Sequence, residues 1–297
     1  MSRGFLAAIA AFLLWGLFPL YWHALGSVPP TQIMAHRLLW CWLLLMLYLA
    51  LRPAARQGFR GNLRLYRTLA LTSVLIAFNW WLFIWAVNSG HTVETSLGYF
   101  INPLVNVVLG VAVLGERLNP RQWLAVGIAT LGVSYLGWQV GHPPWIALAL
   151  AGSFGLYGLL RKTAQVEAVH GLAVESTLLL PAAVAYLLWL EQAGQGVFGH
   201  APARVEWLLM ASGLVTALPL VWFAYGARRI AYSTVGLIQY LAPSLQLACG
   251  TLAFGEPFPR SEQIGFAVIW CALAIYAGDG LLRLSRVSSS SRATEPV

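Results

Sequence analysis

Apolar residues run along this chain in long blocks, each closed at its ends by a short joint rich in Gly, Pro, Ser or basic residues. A helix that crosses the hydrocarbon of a bilayer needs roughly 20 apolar residues. The pattern predicts ten such helices, near residues 4–22, 31–51, 69–88, 92–114, 120–138, 143–161, 170–190, 205–227, 232–254 and 260–282. A transmembrane barrel would instead show short segments alternating polar and apolar. The fold class is therefore an all-α membrane protein.

Composition agrees with this pattern. Of 297 residues, 59% are hydrophobic and 9% charged, and mean hydropathy is +0.70; a soluble surface needs far more charge. The net charge of +8 could suggest nucleic acid, but the basic residues punctuate the ends of apolar runs instead of forming a patch. They read as topology signals. With the N-terminus inside, only Arg204 and Arg260 fall outside and Arg37 lies within a span, while the other basic residues sort to the inside. Ten spans with both termini cytoplasmic satisfy that rule. The first span follows Arg3, as a signal peptide would, but its length, Trp15, Gly16, Pro19 and its counterpart later in the chain favour a retained helix. Cys41, Cys249 and Cys271 lie inside apolar spans without CxxC spacing, so we expect packing residues and neither a disulfide nor a metal site. The serine-rich tail, 284–297, is expected to be disordered and cytoplasmic.

The chain also repeats. A shift of 140 residues places Phe83 on Phe223, Leu97 on Leu237, Pro103 on Pro243, Gly110 on Gly250 and Gly115-Glu116 on Gly255-Glu256 without a gap; nearer the start of each half, a shift of 139 places Trp15-Gly16 on Phe154-Gly155. Residues 1–140 and 141–283 thus read as two copies of a five-helix unit. Five is odd, so the second copy must enter the membrane from the opposite side. Two inverted repeats related by an in-plane pseudo-two-fold axis can open alternately to either face, which argues for a carrier over a channel or an intramembrane enzyme.

Polar residues inside the spans are the candidates for chemistry, because each is costly in lipid unless it faces protein, water or a partner. Glu94, Gly98, Asn102 and Asn106 recur every four residues and form one stripe on the fourth span, where Pro103 also frees a carbonyl. That stripe is a cavity wall or a helix–helix seam. His36 and Arg37 lie a few residues inside the second span; Arg37 is expected to pair with Glu94 as a gate, a substrate anchor or structural glue. His36 could carry a proton or be a structural residue. The repeat sets Glu175 opposite His36, making it a second candidate for proton or cation handling. Asn79 and Trp80, Tyr99, and Gln239, Tyr240 and Gln246 add amides and aromatics that suit an amphipathic organic solute better than a bare ion.

No P-loop, GxSxG, HExxH or His/Cys/carboxylate cluster is present. We therefore expect no enzyme activity, no cofactor, no metal and no nucleic-acid partner, and an energy source that is an ion gradient or the substrate's own. The partners expected are a small-molecule substrate, the lipid bilayer and, as a coupling ion, protons. Ala125, Ala129, Gly265 and Ala267 on the last helix of each repeat could support close packing or a homodimer.

The stretch "WLFIWAVNSGHTVETSLGYFINPLVNVVLGVAVLGERLNPRQWLAVGIATLGV", the paired "LGE" and "FGE" endings and "AHR" at Ala35 to Arg37 closely resemble the RarD-type proteins of the EamA group, within the drug/metabolite transporter superfamily. The resemblance covers the membrane region and implies ten helices in two inverted repeats, a bacterial inner-membrane location, and export or permeation of metabolites, amino acids or drugs. The alternative is a non-transporting scaffold, sensor or lipid-modifying enzyme. A solute-sized cavity between the halves would favour a transporter; sealed packing of Asn102, Asn106 and Gln239 without a cavity would favour the alternative.

Overall fold

A computed structural model of the chain describes residues 3–52, 61–89, 91–139, 141–255 and 259–292, and these form helices and their joints without a strand. In the first half, α1 (Arg3–Gly16) and α2 (Phe18–His23) share one span, broken at Leu17 where Pro19 withholds an N–H donor. There follow α3 (Pro30–Leu51), α4 (Leu63–Asn88), α5 (Thr92–Ala112) and α6 (Pro120–Trp138). The second half contains α7 (Trp145–Thr163), α8 (Ala168–Gln192) and α9 (Ala203–Ala227). Its fourth span is α10 (Tyr232–Gln239) and α11 (Leu241–Ala248), continued by a π turn over Cys249–Ala253. The fifth is α12 (Arg260–Arg292).

Ten helical spans among the described residues thus occupy the ten apolar blocks. The third begins at Leu63, earlier than its apolar run, and the last continues to Arg292. Eight of them are long and apolar enough to cross a membrane. The others, α6 and α7, are 19 residues each and carry Arg121 and Gln122, or Arg161 and Lys162, in their terminal turns, which lowers their mean hydropathy. Glu256 of the second "GE" pair and the joint residues Arg56 and Arg60 lie outside the described residues.

Local chemistry sets several boundaries. Asn119 and Gln122 form a reciprocal capping box ahead of Pro120 at the start of α6. Gly115 and Gly255, one full repeat apart, have φ of +66° and +67°, a left-handed conformation that glycine adopts without steric cost. The two halves interlock by exchanging the same contacts: α5 packs on α7 as α10 and α11 pack on α1, α1 on α9 as α7 on α4, and α3 on α9 as α8 on α4.

Three pairs of repeat-equivalent helices also touch, and each runs antiparallel. Between α3 and α8, Thr31 meets Tyr186 (2.7 Å) and Trp42 meets Thr177 (3.0 Å). Between α5 and α10, Gly110 lies against Ser233, Gly236 against Pro103, and the Tyr240 hydroxyl donates to the Phe100 carbonyl at 3.2 Å. Between α6 and α12, Asn119 donates to Asp279 (2.6 Å), and Gly132 lies against Gly265 and Ile269. This last seam uses the small residues that could have served a dimer. Ala125, Ala129 and Gly265 are buried within the chain, and only Ala267 of that set is exposed.

Candidate functional site

Arg37 is half-buried at the centre of a group of aromatic side chains. Its guanidinium lies 4.8 Å from the ring centroid of Trp22 and 5.2 Å from that of Trp80, within cation–π range of both. Nε donates to Thr216 Oγ1 at 2.9 Å, and Nη1 lies 3.1 Å from the sulfur of Met34. Tyr21 and Tyr99 are close enough to interact with it electrostatically. Tyr99 packs edge-on to Phe83 and keeps 40% of its surface accessible; Trp22, Arg37, Trp80 and Phe83 are also partly accessible. Helices α2, α3, α4, α5 and α9 therefore converge on one cation. The depth of Arg37 agrees with the sequence, but its expected partner does not: among the described residues no carboxylate lies within ion-pair distance of it.

Glu94 is instead turned toward histidines, 3.3 Å from Nδ1 of His91 and 3.9 Å from Nε2 of His142. Its two oxygens are buried and accept no hydrogen bond from the described residues. The Arg37–Glu94 pair is thus corrected. Both residues do face protein, but a four-residue stripe fixes the azimuth of a side chain on its own helix and leaves the rotation of α3 against α5 open.

The amides form a different unit. Asn106 Nδ2 donates to Gln239 Oε1 at 2.7 Å, Gln239 Nε2 donates to Asn102 Oδ1 at 2.6 Å, and Asn102 Nδ2 donates to the Ala151 carbonyl at 2.8 Å. All three residues are buried, and they seal the crossing of α5, α7 and α10. Asn79 binds the adjacent Leu150 carbonyl and Ser153 hydroxyl, both at 2.9 Å, and so fastens α4 to α7. Tyr240, buried at the break between α10 and α11, is spent on the Phe100 carbonyl.

Glu175 lies in a buried network that the sequence only half disclosed. Thr72 donates to its Oε1 at 2.6 Å and Tyr157 to its Oε2 at 3.3 Å, and Arg161 Nε lies 3.6 Å from Oε1. Arg161, at the end of its apolar block, is buried and donates to the Ala168 carbonyl at 3.0 Å. Gly171 makes room for it, since a Cβ there would stand 1.7 Å from its Nη1. One signal was available: the 139-residue shift sets Arg161 on Trp22. His36 is buried against Phe198 at 5.3 Å between centroids, and its Nδ1 lacks a partner. Trp22 and Thr216 carried no sequence signal beyond being an aromatic and a hydroxyl in apolar spans. A separate hollow of about 450 Å³ lies at the first turns of α4, lined by Leu63, Arg64, Arg67, Thr68 and Leu71, and touches none of the candidate residues.

Ten interlocked spans around an aromatic-lined guanidinium define a polytopic membrane protein with polar residues in its interior, the build of a solute transporter. Comparison with known proteins agrees: the chain belongs to the EamA-like transporter family, whose pattern matches residues 2–138, and relatives cover nearly its whole length. It is similar to an uncharacterized transporter of Pseudomonas aeruginosa (44% identical, 97% of each chain) and to protein RarD of Escherichia coli (41%, 96% of this chain and 97% of the relative). It is also similar to an uncharacterized transporter of Bacillus subtilis (41%, 93% of each). A solved crystal structure shares the fold, with a TM-score of 0.69 at 20% identity over 92% of this chain and 98% of that one.

Proposed function

We propose that the protein is a secondary carrier of small organic solutes, working by alternating access between two inverted five-helix halves in a bacterial inner membrane. One observation carries this reading. Trp22, Arg37, Trp80, Phe83 and Tyr99 are all partly accessible, whereas their repeat equivalents Arg161, Ser176, Leu220, Phe223 and Gln239 are all buried. Equivalent residues in unequal surroundings suit a carrier caught at one end of its cycle, with one half's face open and the other's closed. The antiparallel contacts between equivalent helices support the inverted relation of the halves.

The sealed amides belong to this account as the closed side. Their tight packing is what a non-transporting protein would also show, and the carrier reading rests instead on the partly accessible surroundings of Arg37 and on the transporter relatives. With both termini cytoplasmic, the partly accessible surroundings of Arg37 and Tyr99 lie toward the outer side, and the Arg161–Glu175 network and amides close the inner path. His36 and Glu175 remain the residues proposed to handle a coupling proton; export is the direction the family resemblance favours. Because the small-residue seam between α6 and α12 is used internally, a homodimer would need another surface.

Uptake into proteoliposomes tests the reading, using amino acids, amphenicols and other small amphipathic metabolites, with and without an imposed pH gradient. Saturable movement of at least one solute is expected, accelerated by the gradient if a proton is coupled. Protein shown to be folded that moves no member of the panel would count against a carrier.

A further inference from the structure

The group around Arg37 has a chemistry more specific than "organic solute". A guanidinium held at membrane depth ordinarily has a carboxylate, because a charged side chain in the hydrocarbon region is costly and is relieved by pairing or hydration. Arg37 has an alcohol, a thioether and two indole faces. The hydroxyl is a neutral acceptor, the sulfur a weak one, and the ring faces offer no lone pair, so the fork retains donors and its full charge. The described carboxylates that could have neutralised it are committed elsewhere, Glu94 toward His91 and His142 and Glu175 toward Arg161.

We propose that Arg37 is the binding site for the carboxylate of an organic acid, whose apolar body lies against Phe83 and Tyr99. This rests on the carrier reading and names the substrate class of its site. The free edge of a guanidinium matches a carboxylate with two parallel N–H···O bonds, a geometry that a lysine's point charge cannot reproduce. The indoles hold the fork in an apolar setting, where an ion pair is less screened than in water. Thr216 fixes Nε from the opposite half of the repeat, so an acid held by Arg37 is bound by a group whose position depends on how the halves pack. Phe83 and Tyr99, with centroids 6.0 Å apart, provide an apolar wall beside the charge. An amphipathic solute with one anionic end matches both the guanidinium and the aromatic rings beside it; a cation would meet the guanidinium's like charge, and a neutral amide would leave that charge uncompensated.

Binding to the purified full-length protein in nanodiscs tests this with benzoate, phenylacetate and hexanoate, each against its own primary amide, read by isothermal titration and by the thermal unfolding midpoint. At least one acid is expected to bind saturably, with its amide at least about tenfold weaker. Arg37→Gln should abolish that preference while leaving the unliganded protein monodisperse. Should Arg37→Gln fail to fold, Arg37→Lys carries the test: acid affinity should fall at least about threefold as the fork is lost, with the amide unchanged. The proposal is overturned if none of the three acids binds, if amides bind as well as acids, or if Arg37→Lys leaves the acid unaffected. It is also overturned if Arg37→Gln/Glu94→Gln restores binding lost in Arg37→Gln, because Arg37 would then serve to neutralise Glu94. Uptake of a bound acid into proteoliposomes separates the two claims. Binding without uptake retains the anion site and removes the carrier, whereas uptake of neutral solutes with no acid bound does the reverse.

Discussion

Glu116 shows how a residue in a short joint governs a distant helix. Its Oε1 accepts the Tyr232 N–H at 2.5 Å, and its Oε2 accepts the Ser233 N–H at 2.8 Å and the Ser233 hydroxyl at 2.7 Å. A single carboxylate thereby satisfies the open first turn of α10 from the other half of the chain, where a negative charge is also favoured by the helix dipole. Glu116→Ala should cost about 1–2 kcal/mol, the usual loss on removing an N-cap acceptor, read as a lower unfolding midpoint in detergent. Gly110→Ala should lower it too, since the new Cβ would stand 2.7 Å from Glu116 Oε2 and 3.0 Å from the Ser233 nitrogen. An unchanged midpoint in both variants would mean that the contact contributes nothing. At this scale the sequence disclosed which residues matter better than whom they meet. The recurring "GE" marked Glu116, and depth marked Arg37 and Glu175, but their partners Ser233 and Thr216 lie 117 and 179 residues away and Arg161 lies on a different helix, where no helical spacing reaches.

Among the elements, the crossing of α5 and α10 decides whether the interior is sealed. Gly236 allows it: a Cβ at that position would stand 2.5 Å from the Pro103 carbonyl oxygen and 3.0 Å from the Asn106 side chain. Backbone cannot retreat as a flexible side chain can. Gly236→Ala should therefore push the helices apart, strain the Asn102–Asn106–Gln239 triad and cost about 1–3 kcal/mol, as overpacking does. Gly127→Ala and Gly152→Ala, where an added Cβ meets nothing within 4 Å, provide controls that should keep the wild-type midpoint. Equal stability of all three variants would remove Gly236 from this role. Span positions were legible because twenty-residue apolar blocks leave little choice, but the breaks were not, since Pro103, Pro181 and Pro219 lie inside continuous helices. The sharp division at Tyr240 and the π turn after Ala248 were not legible, since Pro243 alone does not say where a helix yields.

Across the whole molecule, the repeat is the feature that the chain wrote most plainly, and the unequal exposure of its two copies is the feature only coordinates could supply. Aligned positions such as Phe83 and Phe223 carry comparable residues; which half is more exposed is a property of packing, not of residue type. Alternating access requires that this inequality reverse during turnover. The direct measurement is labelling by a membrane-impermeant maleimide of single cysteines at Tyr99→Cys and Ser176→Cys, in a background lacking Cys41, Cys249 and Cys271. The resting protein should label at 99 and resist at 176, and a solute that is transported should shift the protein so that 176 gains reactivity as 99 loses it. Labelling at both positions at once, or a pattern that no transported solute alters, would contradict the account.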